Sequence, residues 1–323
     1  MPFNSEITRT DAGALIPEDA ARDIIKETAD SNWIFQLARR LPDMSRKQRR
    51  MPVANALATA YFVNGDTGLK QTTELDWTNK YVDAEEVAAI VPVPEAVLDD
   101  EDYDIWGEVK PALVAAFNKA IVQAVLYGTN IPATWTTNLG AAGLVALATA
   151  DSTVASIAAF TDLYEAIMGE SAAGSADGLL MLLEAQGYAV TGHLAHMTMK
   201  GRLRNCRSVD GVPVFTGSPV SGAPAELDGA PILFPVDGSL DSSQALDICG
   251  QWNQLVYGIR QDMTYKVLSE AVITDAGGNI IYNLAQMDMI AIRAVMRLGF
   301  ALPNPITPMA TGATRCPFSV LTA

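Results

Sequence analysis

The amino-acid sequence predicts an α+β fold, and three patterns predict it. Val109, Leu113, Phe117, Ile121 and Val125 recur every four residues, which lays one apolar stripe along a long helix. Ile259, Met263, Tyr265 and Val267 alternate with Arg260, Asp262, Thr264 and Lys266. Further on, Ile290, Ile292, Ala294, Met296, Leu298 and Phe300 share one face against Arg293 and Arg297, so two long strands each bury one side. Between Pro52 and Lys80, short apolar pieces such as Ala60-Tyr61-Phe62-Val63 flank Asn64-Gly65-Asp66-Thr67-Gly68, the pattern of a long hairpin with a glycine-rich tip.

Taken in order, Leu15-Ile16-Pro17-Glu18-Asp19 opens a first helix. Pro17 suits a first helical position, the acids complement the helix dipole, and Ala21, Ile24, Ile25 and Ala29 keep helical spacing. The apolar signal continues through Trp33, Ile34, Phe35 and Leu37. A basic run follows: Arg39, Arg40, Arg46, Lys47, Arg49 and Arg50. It reads either as a solvated loop or as an arm that pairs with acidic patches on neighbouring copies. The hairpin between Pro52 and Lys80 has little apolar surface to bury on its own, as expected of a projecting arm that lies on a partner. Ala88 to Val93 reads as a strand. Asp99-Asp100-Glu101-Asp102-Tyr103-Asp104 lacks EF-hand spacing and reads as the acid-rich start of the long helix, which runs to Gly128 and should kink or divide at Pro111.

Residues 131–250 are rich in Ala, Gly, Ser and Thr. Ser156–Glu170 and Asp177–Gln186 are helix candidates, Tyr188–Met199 and Val212–Phe215 strand candidates, and Gly217–Pro231 a loop crowded with proline and glycine. The C-terminal third holds the two long strands around a turn at Asp275–Asn279. At ~3.3 Å per residue the strand Met289–Phe300 reaches roughly 40 Å. A long two-stranded ribbon beside a long helix makes a girder rather than an enzyme core. No internal repeat is visible.

Composition excludes several classes. The 323 residues, 49% apolar and 18% charged, suit one large domain or two ordinary ones. The net charge of −15 argues against nucleic-acid binding through the average surface. An acidic wall around packed DNA is nonetheless sensible, because it repels the polymer. Cys206, Cys249 and Cys316 are far apart and form no CxxC, so neither a disulfide framework nor a zinc site is expected. No signal peptide is visible at Met1–Asp11. The most apolar stretches are broken at Asn118–Lys119 and Asp151, so a soluble protein without a membrane span is expected. There is no GxGxxG, P-loop or GxSxG. The only histidines, His193 and His196, sit in a predicted strand, where a spacing of three points them to opposite faces and disfavours a metal site. No catalytic, cofactor-binding or metal-ligating residue is assigned.

Four segments in order resemble a known family. Leu15-Ile16-Pro17-Glu18 with its helix, Ala88-Ala89-Ile90-Val91-Pro92-Val93-Pro94-Glu95, Gly258-Ile259-Arg260-Gln261-Asp262-Met263, and Asp288-Met289-Ile290-Ala291-Ile292-Arg293-Ala294-Val295-Met296-Arg297 are similar to the major capsid proteins of tailed bacteriophages. The resemblance covers nearly the whole chain and is weakest over 131–250. It implies the Hong Kong 97 type capsid fold. Residues 1–54 would be an N-terminal arm, 55–82 an extended loop, 83–130 with 251–302 a peripheral domain of spine helix and long β-ribbon, and 131–250 with 303–323 an axial domain. It implies a structural shell subunit of the virion, assembled in the host cytoplasm, without cofactor, forming hexamers and pentamers by heterologous contacts. Its partners would be a separate scaffolding protein (the family pattern begins near Ala14), a portal, a decoration protein, and packaged double-stranded DNA held without sequence specificity. The expected inter-subunit contacts are Arg39, Arg40, Arg46, Lys47, Arg49, Arg50, Lys70 and Asp288. Some relatives weld neighbours through a loop Lys and a strand Asn, helped by a Glu seven residues later. Lys70 resembles that Lys, but Asp288 and Val295 stand where Asn and Glu would, so no cross-link is expected. Two other readings remain: an encapsulin-like compartment of the same fold, and a soluble hydrolase with its site in 131–250.

Overall fold

The computed structural model describes residues 33–63, 68–96, 105–140, 142–169, 177–207, 226–275, 277–310, 312 and 315–323, and of 105–108 the backbone only. The expected first helix at Leu15, the acidic run 99–104, the strand Val212–Phe215 and the loop tip 64–67 lie outside these residues.

The fold is built on two sheets. The first has the order β1-β10-β13-β4, formed by β1 (Arg39–Arg40), β10 (Val256–Leu268), β13 (Met289–Ala301) and β4 (Glu85–Pro94). The two long strands are therefore not an isolated ribbon, as the sequence suggested. β13 is central, antiparallel to β10 on one side and to β4 on the other. Ile290, Ile292, Ala294, Met296, Leu298 and Phe300 are buried as expected and Arg293 is exposed, but Ala291, Val295 and Gly299 on the other face are buried too, so this central strand does not bury one side alone. The long helix α2 (Ile105–Tyr127) turns Leu113, Phe117, Ile121 and Val125 into the core of this sheet. The expected division at Pro111 does not occur. Proline removes one rung of the backbone ladder, and the packing of the four apolar side chains on the sheet holds the helix as one piece. Despite Asn118 and Lys119, the stretch Val109–Tyr127 is long and apolar enough to cross a bilayer by length and composition. In the fold its apolar stripe is spent on the core.

The second sheet has the order β5-β14-β9-β6-β8-β7, from β5 (Val154–Ser156), β6 (Gly192–Ala195), β7 (Glu226–Leu227), β8 (Ala230–Leu233), β9 (Asp247–Gly250) and β14 (Phe318–Thr322). The C-terminal strand β14 pairs β9 and β5, so the chain returns to complete it. Leu194, Ile248 and Phe318 join the same core as Leu298 and Phe300. Around these sheets lie α1 (Trp33–Leu37), α3 (Ala133–Leu139), α4 (Gly143–Ala150), α5 (Leu163–Met168), α6 (Leu179–Ala185) and α7 (Met197–Asn205).

Several expectations for 131–250 need correction. The helix expected over Ser156–Glu170 is confined to α5, because Val154–Ser156 pairs with β14 and Phe160 stays extended. The strand expected over Tyr188–Met199 ends at Ala195. There His196 caps α7, its Nδ1 accepting from the Thr198 backbone N–H at 3.2 Å. The loop expected through Pro231 contains a short hairpin, β7–β8, turned by Asp228 and Gly229 at positive φ. The turn at Asp275–Asn279 stands, and it joins a separate small hairpin of β11 (Val272–Thr274) and β12 (Ile280–Asn283).

Candidate assembly interface

β2 (Gln48–Ala54) and β3 (Trp77–Asp83) pair antiparallel and form the root of the projecting hairpin. The root is fixed to the first sheet by close approach. A Cβ on Gly299 would lie 2.4 Å from the Asp83 carbonyl oxygen, so only glycine lets the two backbones meet there. Trp135 Nε1 and Asn138 Nδ2 on α3 donate to the carbonyls of Asp83 and Tyr81, each at 2.8 Å. Beyond the root the limbs stay together through Asn55 Nδ2 to Asp76 (3.1 Å), Thr59 N–H to Thr73 Oγ1 (2.9 Å) and Tyr61 OH to the Gln71 carbonyl (3.0 Å). Several of their apolar side chains are open to solvent. Phe62 is 104% and Leu69 90% exposed, and Tyr61, Leu75 and Trp77 are also exposed. Exposed apolar residues clustered on one projecting element mark an interaction surface.

The basic run is less available to partners than the sequence suggested. Arg40 bonds Asp43 at 3.0 Å, which raises the guanidinium pKa, and Lys47 pairs Glu85 at 3.1 Å. Arg49 donates to the Pro42 carbonyl. Arg39, Arg46 and Arg50 are exposed and make no ion pair among the described residues. The pairing of Lys47 with Glu85 leaves no mark in the sequence, since Glu85 comes from the far side of the hairpin.

Lys70 and Asp288 are both exposed and are not brought together within the chain. Lys70 lies on the loop. Asp288 sits at φ +47° before β13, with its carbonyl accepting the Glu95 N–H at 2.9 Å. Val295, seven residues on, is buried in β13.

The histidines serve the fold. His193 Nδ1 meets Asp247 Oδ2 at 3.0 Å, with both side chains fully buried on adjacent strands. Cys249, opposite His193 in the same pairing, is fully buried, and burial followed by the charge of Asp247 pushes its thiol well up. A nucleophile needs the opposite shift and an open approach. The open groove in this part of the chain, about 630 Å³ beside Tyr164, Arg202, Asn205 and Arg207, holds neither histidine, and burial raises the pKa of its Cys206. Among the described residues no group of three or more His, Cys, Asp or Glu could hold a metal.

The comparisons bear on what this architecture is for. The model of the phage capsid family matches residues 12–309. The chain belongs to the phage capsid family. The major capsid protein of Staphylococcus phage 80alpha is 24% identical over 285 residues, 87% of this chain and 79% of that protein. A solved chain from Microbacterium phage Oxtober96 is 30% identical and superposes with a TM-score of 0.75 over 98% of this chain and 99% of its own. One from Mycobacterium phage Cain is 27% identical, with a TM-score of 0.72 over 90% and 89%. The mixed α+β fold is thus that of Hong Kong 97 type capsid proteins. The chain is a structural, non-enzymatic component of a phage virion capsid.

Proposed function

We propose that the chain is the repeating subunit of an icosahedral phage shell that encloses double-stranded DNA, and that its hairpin loop lies on a neighbouring copy. The observation that carries this is the exposure of Phe62 and Leu69 on the two limbs of the hairpin that projects from β2 and β3. In this reading residues 1–54 are an arm and 55–82 the extended loop. Residues 83–130 with 251–302 form the peripheral domain, and 131–250 with 303–323 the axial domain that surrounds capsomer centres. One chain building both hexamers and pentamers needs heterologous contacts that close into rings. A separate scaffolding protein, a portal and a decoration protein would complete the particle. DNA is held without sequence specificity, as suits a chain of net charge −15. Deleting Gly65–Gln71 is expected to abolish shells in negative-stain micrographs while the subunit keeps its circular dichroism and unfolding midpoint. Normal particles from that deletion would rule the loop out.

The electrostatic part of the contact rests on Arg39, Arg46 and Arg50, which have no local partner among the described residues. Arg46→Glu with Arg50→Glu is expected to lower particle yield several-fold. High salt should loosen wild-type shells, because exposed pairs are screened beyond a Debye length of ~8 Å at physiological ionic strength. Yields and salt sensitivity equal to wild type would return the run to a solvated surface.

A further inference from the structure

The solvent face of the first sheet carries two cations that oppose each other across a strand pair. In the antiparallel register of β10 with β13, Lys266 lies directly opposite Arg293, and on the other side of β13 Arg293 lies opposite Ile90 of β4. All three are exposed, so they form one row across three strands. Residues directly opposite in an antiparallel ladder hold their Cβ atoms about 4.5–5.5 Å apart, and like charges placed there destabilise the sheet. That spacing is shorter than the Debye length of ~8 Å, so physiological salt does not cancel the repulsion.

Among the described residues neither side chain makes an ion pair or a hydrogen bond. The carboxylates on the strands of this sheet are Glu85, Glu86 and Asp262, and each is engaged elsewhere. Glu85 meets Lys47 at 3.1 Å, and Glu86 accepts from Nε and Nη2 of Arg297 at 2.9 and 2.7 Å. Asp262, after Asp43, is among the charges that raise the pKa of Arg40. The rows on either side of the pair are uncharged: Thr264, Val295 and Ala88 on one, Leu268, Ala291 and Pro92 on the other.

We infer that Lys266 and Arg293 form a binding site for a single oxyanion, filled by phosphate in the free subunit. The planar fork of Arg gives parallel donors to an oxyanion and Lys adds a compact point charge. An anion seated between them turns one repulsion into two attractions. The central strand β13, paired on both sides, holds the Arg293 backbone in place for it. The inference does not depend on where the hairpin loop lies. The same oxyanion chemistry is available from inorganic phosphate and from a carboxylate of an adjoining copy, and the experiment separates the two.

The probe is inorganic phosphate, exchanged for chloride at fixed ionic strength over the unassembled full-length subunit. The wild-type thermal midpoint should rise by about 2 °C near saturation. Arg293→Gln and Lys266→Gln each remove the repulsion, so each should melt no lower than wild type in chloride and should lose most of the phosphate response. Phosphate also stabilises proteins generally by exclusion from their surface, and the two variants supply that background. Arg297→Gln breaks the pair with Glu86 but leaves the site, so it should keep the response. The phosphorus NMR line of inorganic phosphate should broaden with wild type and Arg297→Gln and stay sharp with the other two. Equal phosphate responses in wild type and both site variants would overturn the inference. So would site variants that both melt below wild type in chloride, because no repulsion would then exist to relieve. In assembled shells, broadening that persists assigns the site to the free ion. Broadening lost on assembly, with a lower particle yield from Arg293→Gln, assigns it to a carboxylate of the adjoining copy.

Discussion

Replacing His193 by Phe is expected to destabilise the unassembled subunit by about 3–5 kcal/mol, the usual cost of removing one partner from a buried charge-capable pair. Asp247 is fully buried on β9, in the interior of the six-stranded sheet, and among the described residues its side chain hydrogen-bonds only His193, at 3.0 Å. Among the described residues its Oδ1 has no partner, and neither has His193 Nε2, so none of them offers a spare hydrogen bond to fall back on. With stabilities of whole domains at about 5–15 kcal/mol, such a loss removes a large share of the total. The double variant His193→Phe with Asp247→Leu should recover most of it, since two apolar groups of similar shape leave nothing unsatisfied. Urea unfolding of the four species gives the coupling energy directly. A single-variant loss below about 1 kcal/mol, or a double variant no better than the single, would show that the pair does not govern the stability of this sheet.

That pair also shows where sequence reasoning stopped. α2, β10 and β13 were legible because burial imposes a period on them: four-residue spacing from Val109 to Val125, and alternation from Ile259 and from Ile290. Pairing order leaves no such mark. Nothing near Met289 announces that β13 will lie between β10 and β4. Between 131 and 250 small residues blur both periods, and the decisive interactions are single contacts. His196 capping α7 ended a strand that hydrophobicity alone would have continued. The basic run was visible as charge, but its partners Asp43 and Glu85 were not. Phe62 and Leu69 were plain in the sequence, and only their exposure makes them candidates for an interface.

A mature shell of this protein is expected to run as a single band near 34.4 kDa after boiling in detergent. Welding a Lys to an Asn requires Lys Nζ to attack the side-chain amide carbon, a base to take the proton, and ammonia to leave. Lys70 is exposed on the loop and could approach a neighbour. At the receiving position stands Asp288, whose ionised carboxylate shields its carbon from a nucleophile and has no ammonia to lose. Where the resemblance implies a base, the chain has Val295, buried in β13 and unable to move a proton. A positioned general base typically contributes ~10²–10⁴ in rate, so its loss alone would stall the reaction. An ion pair between Lys70 and Asp288 of a neighbour is the contact these side chains can make, and detergent dissolves it. Asp288→Asn alone should therefore restore no cross-link, while Asp288→Asn with Val295→Glu supplies both missing groups and tests whether they are sufficient. A ladder of dimers and larger species from wild-type particles, resistant to reducing agent, would show that the chain bonds its neighbours covalently by some other pair of residues.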